Sequence, residues 1–262
     1  MKTPANDPRS ELAGLVGSLR AYLEWQQDSG ATGIPRAAPR PSVAAPVPVP
    51  APAHAPAPAT APDPSLARLP QLASEVASCT RCVLASTRTQ TVFARGNPTS
   101  KLCFVGEGPG ADEDAQGLPF VGRAGQLLDR MIGAMGLAPA TDVYVCNIVK
   151  CRPPGNRRPE PDEVAACIPY LHEQLALVRP RAIVALGNTA IAALLDTKLG
   201  VTKLRGQWKL YRGQTLVMPT YHPSYLLRPS PQQVEAKRQA WQDLQLVMKE
   251  LGLPLPPHRS SD

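Results

Sequence analysis

The chain has 262 residues, with 28 lysines and arginines against 21 acidic residues, a formal net charge of +7, 31 prolines and six cysteines. The basic balance favours acidic partners, nucleic acid first among them. No apolar run reaches membrane-spanning length, and MKTPANDPRSELAGL lacks the basic-then-apolar layout of a secretory leader, so the reading is a soluble, cytoplasmic, monomeric protein with no membrane partner, whose cysteines serve as metal ligands or buried thiols before disulfides.

Residues 10–27 carry Leu12, Leu15, Val16, Leu19, Tyr22 and Leu23 at helical spacing, which predicts one amphipathic helix in an N-terminal segment, 1–33. That helix is a candidate docking element for a protein partner. Residues 34–64 are nearly all proline and alanine. They are expected to form a disordered, extended spacer, because such side chains bury too little apolar surface to offset the entropy of ordering. The globular domain is expected from residue 65 to residue 262.

Within it the pattern alternates. Residues 66–78 have helical spacing and end at Cys79-Thr80-Arg81-Cys82. Residues 102–105 are a short apolar strand that breaks into Gly106-Glu107-Gly108-Pro109-Gly110, and a helix follows over 123–135. Residues 143–149 predict a second strand, 161–178 a helix with Pro161 at its start, 182–186 a third strand, and 188–195 a short helix. A fourth strand begins over 215–218 and runs into Tyr221-His222-Pro223-Ser224, and a last helix covers 232–251. Strand alternating with helix predicts an α/β fold: a three-layer sandwich with a central parallel four-stranded sheet flanked by helices. Glu107, Asn147, Gly187-Asn188 and His222 then fall at the carboxyl ends of the four strands, where open α/β sheets hold their ligands.

The cysteines divide into two kinds. Cys79 and Cys82 form a C-x-x-C pair, and Cys151 and Cys167 bracket a turn-rich loop, CRPPGNRRPEPDEVAAC. Four thiolates suit Zn²⁺ or a [4Fe–4S] cluster, and spacing does not separate the two. Cys103 and Cys146 sit inside apolar strands and read as core residues.

Three stretches, GEGPGADEDAQGLPFVGRAG, CNIVKCRPPGNRRPEPDEVAAC and HPSYLLR, resemble the signature regions of the family 4 (iron–sulfur) uracil-DNA glycosylases, and the resemblance covers about residues 66–251. It implies a DNA repair enzyme that flips uracil from DNA, hydrolyses its N-glycosidic bond and leaves an abasic site. It implies a structural [4Fe–4S] cluster on Cys79, Cys82, Cys151 and Cys167, pinning a loop that sets Arg152, Asn156, Arg157 and Arg158 against DNA phosphates, with Asn156 also counted among the substrate-binding positions. Phe120 would stack on uracil. The Asn147 amide matches the O4 and N3–H edge of that base and mispairs with cytosine. His222 would hydrogen-bond uracil O2 and stabilise the departing anion, and Glu107 would orient water or stabilise the cationic sugar. Gly108 contributes to the base pocket through its turn. Ser224, Leu226, Leu227 and Arg228 follow His222 on the DNA side, and Leu226 and Leu227 are both candidates for an apolar wedge.

Two other readings stay open at this point. A reader of DNA with a structural metal centre would bind without cleaving, although it has little use for Glu107 beside phosphates. A relative that traps uracil-DNA covalently would carry Gln at Gly108 and a histidine-bearing insertion, and residues 201–213, VTKLRGQWKLYRG, hold no histidine.

Overall fold

The structure, a computed structural model, describes residues 64–255. The expected N-terminal helix and nearly all of the proline–alanine spacer lie outside the described residues.

A 3-10 turn at Pro64–Ala67 leads into α1 (Arg68–Ala77), which buries Leu69, Leu72 and Val76 at helical spacing. The chain then runs through β1 (Arg95–Gly96), β2 (Leu102–Gly106), α2 (Ala111–Gln116), α3 (Arg123–Ala134), β3 (Tyr144–Asn147), α4 (Pro161–Val178) and β4 (Ala182–Leu186). It continues through α5 (Gly187–Leu195), α6 (Val201–Leu204), β5 (Lys209–Tyr211), β6 (Thr215–Thr220), α7 (Pro223–Leu226) and α8 (Gln233–Leu251).

The sheet has six strands in the order β1-β3-β2-β4-β6-β5. The four expected strands, β2, β3, β4 and β6, are its parallel centre. The expectation of four strands in all is corrected by β1 and β5, which pair antiparallel at the two edges. These edges are two and three residues long, too short to show a period. Each half of the sheet is continuous in sequence: β1, β2 and β3 form one, β4, β5 and β6 the other, and the halves meet where β2 pairs with β4.

The strands β2 and β4 are buried throughout, as a sheet covered on both faces requires. Side chains alternate between two cores. Cys103, Val105, Cys146, Ile183 and Val217 join Leu72, Leu171 and Ile191 on one face. Leu102, Phe104, Val145, Val184 and Met218 join Leu128, Ile132, Leu244 and Val247 on the other. Residues of α1, α4 and α5 thus share a core with one set of strand side chains, and residues of α3 and α8 with the other. Cys103 and Cys146 are both 0% exposed, as core residues should be.

Candidate functional site

Strand register sets the site. Gly106 pairs with Asn147, and Leu186 pairs with Thr220, so Glu107, Asn147, Gly187 and His222 come to the same carboxyl edge. Gly187 adopts φ +83, and a Cβ there would stand 2.9 Å from the Cβ of His222, so the end of β4 can pack on the histidine only as glycine.

The pocket is built around Gly106. A Cβ on it would lie 2.4 Å from the Phe120 ring and 2.5 Å from Asn147 Oδ1, so ring and amide close over one bare backbone position. Asn147 is 1% exposed, and its Oδ1 has no hydrogen-bond partner. A buried acceptor left unpaired costs about 1–3 kcal/mol, which a ligand N–H would relieve. The Phe120 ring lies 5.7 Å from that of His222, tilted by 30°. A Cβ on Gly108 would press on Val149, 2.7 Å away, so the turn runs close against the end of β3.

Phe120 holds φ +57, a strained setting for an aromatic residue. Glu113 supports it. Its Oε1 accepts from the Val121 and Gly122 amides, each at 2.9 Å, and its Oε2 accepts from the Gly110 amide at 3.0 Å. One carboxylate thus joins the glycine turn to the Phe120 turn. Gly125 completes the fit, because a Cβ there would overlap the Phe120 carbonyl. Sequence reasoning missed Glu113. Its one signal was an acid in the first turn of a helix that starts at a glycine, and that signal also fits an ordinary cap.

His222 caps α7. Its Nδ1 accepts from the Ser224 amide at 3.1 Å and faces the Ser224 hydroxyl at 2.8 Å. The accepting Nδ1 places the proton of the neutral ring on Nε2. Burial pushes the imidazole down to about 4, only partly opposed by the Glu113 charge, so the ring is neutral near pH 7. Glu107 is half-buried and accepts a hydrogen bond from the hydroxyl of Thr189 in α5. Thr189 was also missed, because a bond across 82 residues leaves no local pattern.

The loop after β3 is braced from within. Arg152 donates to Asn156 Oδ1 at 2.7 Å, and Asn156 is exposed at φ +56. Arg157 was expected on DNA phosphates. Its guanidinium makes two bonds, 2.8 and 2.6 Å, to the buried carboxylate of Glu163, which fastens the loop to α4. Arg158 is exposed. Beyond His222, Ser224 and Arg228 are exposed and Leu227 is half-buried. Leu226 is 3% exposed in the core, which corrects its candidacy as a wedge and leaves Leu227.

Cys79, Cys82, Cys151 and Cys167 line one cavity together with Arg81, Arg88, Lys150 and Tyr170. Arg88 donates to the Cys151 sulfur at 3.2 Å, and the Lys150 amide donates to the Cys167 sulfur at 3.3 Å. Burial pushes the Cys151 thiol up and the Cys167 thiol up to about 11, with Arg88 and Lys150 respectively working against it. N–H donors on sulfur and cations around the rim suit thiolates that carry a metal centre. Among the described residues no three of His, Cys, Asp or Glu gather tightly enough to hold a single metal ion.

A family model described as the uracil DNA glycosylase superfamily matches residues 93–245. The chain is 49% identical over 162 residues to a protein of Thermotoga maritima named type-4 uracil-DNA glycosylase, covering 61% of this chain and 84% of that one. Proteins of the same name from Sulfurisphaera tokodaii and Saccharolobus solfataricus are each 42% identical, over 167 and 170 residues. These matches cover 61% and 62% of this chain, and 76% and 79% of theirs.

Proposed function

The chain belongs to the uracil-DNA glycosylase superfamily, and from that membership we propose that it removes uracil from DNA in base excision repair. The nucleotide is flipped out of the helix, its N-glycosidic bond is hydrolysed, and free uracil leaves behind an abasic site. The observation that carries this reading is the unpaired, buried Oδ1 of Asn147 beside the Phe120 ring and the His222 imidazole.

Uracil stacks on Phe120. Asn147 Oδ1 accepts from uracil N3–H while its Nδ2 donates to O4. Cytosine presents a bare N3 and an amino group in those places, so both groups of the amide would be mispaired. His222 Nε2–H donates to O2 and stabilises the negative charge that develops on the base as the bond breaks. A neutral donor suits this task, because the proton stays on the ring and the base leaves as an anion. Glu107 faces the sugar, with one carboxylate oxygen held by Thr189. It orients the attacking water and offsets positive charge on the sugar. Arg152, Arg158 and Arg228 meet phosphates, Asn156 and Ser224 lie along the DNA, and Leu227 fills the gap left by the flipped base.

A [4Fe–4S] cluster on Cys79, Cys82, Cys151 and Cys167 fits four cysteines lining one cavity, with N–H donors on the sulfurs of Cys151 and Cys167. When bound it supplies a cross-link between the start of the domain and the loop 151–167. The test is incubation of the purified protein with oligonucleotides carrying U·G, U·A or single-stranded uracil. Release of free uracil and alkali-labile strand breaks are expected, and intact strands would overturn the reading.

A further inference from the structure

Lys150 is 1% exposed, an unusual place for an ammonium group. Its Nζ donates to the backbone carbonyl of Asn147 at 2.8 Å and to Oε1 of Gln174. Gln174 is itself fixed, because its Nε2 donates to the Tyr144 hydroxyl at 3.0 Å and to the Phe93 carbonyl at 3.3 Å. At its backbone, Lys150 accepts from the Val92 amide at 2.8 Å and donates to the Cys167 sulfur at 3.3 Å. Cys167 and Gln174 both lie on α4, about two helical turns apart. One residue therefore spans from the cysteine cavity to the recognition end of β3.

The position matters because of what Asn147 lacks. β1 pairs with β3 only at Tyr144 and Val145, so the Asn147 carbonyl takes its bond from Lys150 rather than from that strand. Its side-chain Oδ1 touches no protein donor. The aim of that acceptor is therefore set through the backbone that carries it, which β2 holds on one side, the Ile148 amide donating to the Gly106 carbonyl at 2.9 Å, and Lys150 holds on the other. We propose that Lys150 is a positioning residue for base recognition: by gripping the Asn147 carbonyl while its own amide rests on Cys167, it ties the aim of the Asn147 amide to the cysteine centre. This rests on the assignment of Asn147 to the base.

The test uses the full chain and its Lys150→Met variant, which keeps the apolar stem and removes the donors. Four quantities are read: iron per chain, affinity for DNA without uracil, inhibition by free uracil, and single-turnover excision. Iron and affinity for undamaged DNA are expected to stay at parental values. Affinity for free uracil and excision should each fall on the order of 10–100-fold, the usual effect of removing an outer hydrogen-bonding partner. Adding Asn147→Asp should cost less than the product of the two single losses, because both act through one amide. Parental uracil affinity in Lys150→Met, or a loss that merely follows lost iron, would overturn the proposal. If Lys150→Met does not fold, Gln174→Met loosens the same Nζ, and unchanged uracil affinity there overturns it equally. Should Asn147→Asp leave uracil affinity unaltered, the recognition reading falls and the Lys150 proposal falls with it. Should Asn147→Asp weaken binding and Lys150→Met not, the Lys150 proposal alone fails.

Discussion

His222 receives the Ser224 amide on Nδ1, and burial holds the ring down to about 4. The neutral Nε2–H form therefore persists well below the ordinary histidine range. Single-turnover excision measured at saturating enzyme should stay level as pH falls from 8 through 6.5 and drop only as it nears 4. A midpoint near 6.5 would contradict a neutral donor. The sign for stability follows from the same depression: the unfolded chain takes up the proton first, so stability is lost as pH falls from about 6.5 toward 4. Glu107→Gln and His222→Ala should each slow excision on the order of a hundredfold to ten-thousandfold while leaving affinity for undamaged DNA near parental. Glu107→Gln at the parental rate would remove Glu107 from the mechanism. Thr189→Val should cost about 10- to 100-fold, the loss of one hydrogen bond to a charged group. Asn147→Asp should move preference toward cytosine, read as the ratio of excision rates on the two bases. The gathering of Glu107, Asn147 and His222 at one edge was legible because each stands at or just beyond the end of an apolar strand, and strand ends share an edge. Glu113 and Thr189 were not, because their roles are contacts with groups remote in the chain or with backbone amides, which residue type alone does not announce.

The short helix α7 shows how an element sorts adjacent side chains. Its four residues follow His222 and turn Leu226 inward and leave Leu227 half-covered. Leu226→Ala should cost about 2–5 kcal/mol in denaturant unfolding, the range for an emptied core site. Leu227→Ala should change stability far less, yet lower excision from duplex more than from single-stranded uracil. An equal loss on both substrates would deny it the wedge role. The sequence could not separate the two leucines, because a four-residue helix is too short to show a face. The long elements β2, β4, α4 and α8 were legible for the opposite reason, since continuous apolar runs and sustained periodicity span them. The edge strands β1 and β5 escaped notice because their pairing is set by neighbours in the sheet rather than by their own side chains.

On the scale of the molecule, the described residues include two hydrophobic cores and every residue proposed to take part in chemistry. A chain beginning at residue 64 should therefore fold and excise uracil at a rate close to that of the full chain, measured side by side. A folded but inactive product would place a catalytic contribution in residues 1–63. Anaerobically purified protein should carry about four iron and four sulfide per chain, and Cys151→Ala should lose them while Cys103→Ala keeps them. Stoichiometric zinc in an active sample would overturn the cluster. The meeting of β2 with β4 has a consequence for when the enzyme becomes active. Leu102 pairs with Ala182, eighty residues later, and His222 lies beyond that junction while Glu107, Phe120 and Asn147 lie before it. Closing so long a loop is a late and costly event in folding. Until that junction closes, Glu107, Phe120 and Asn147 stand without His222 beside them, so the proposed site is assembled only when the whole sheet has formed.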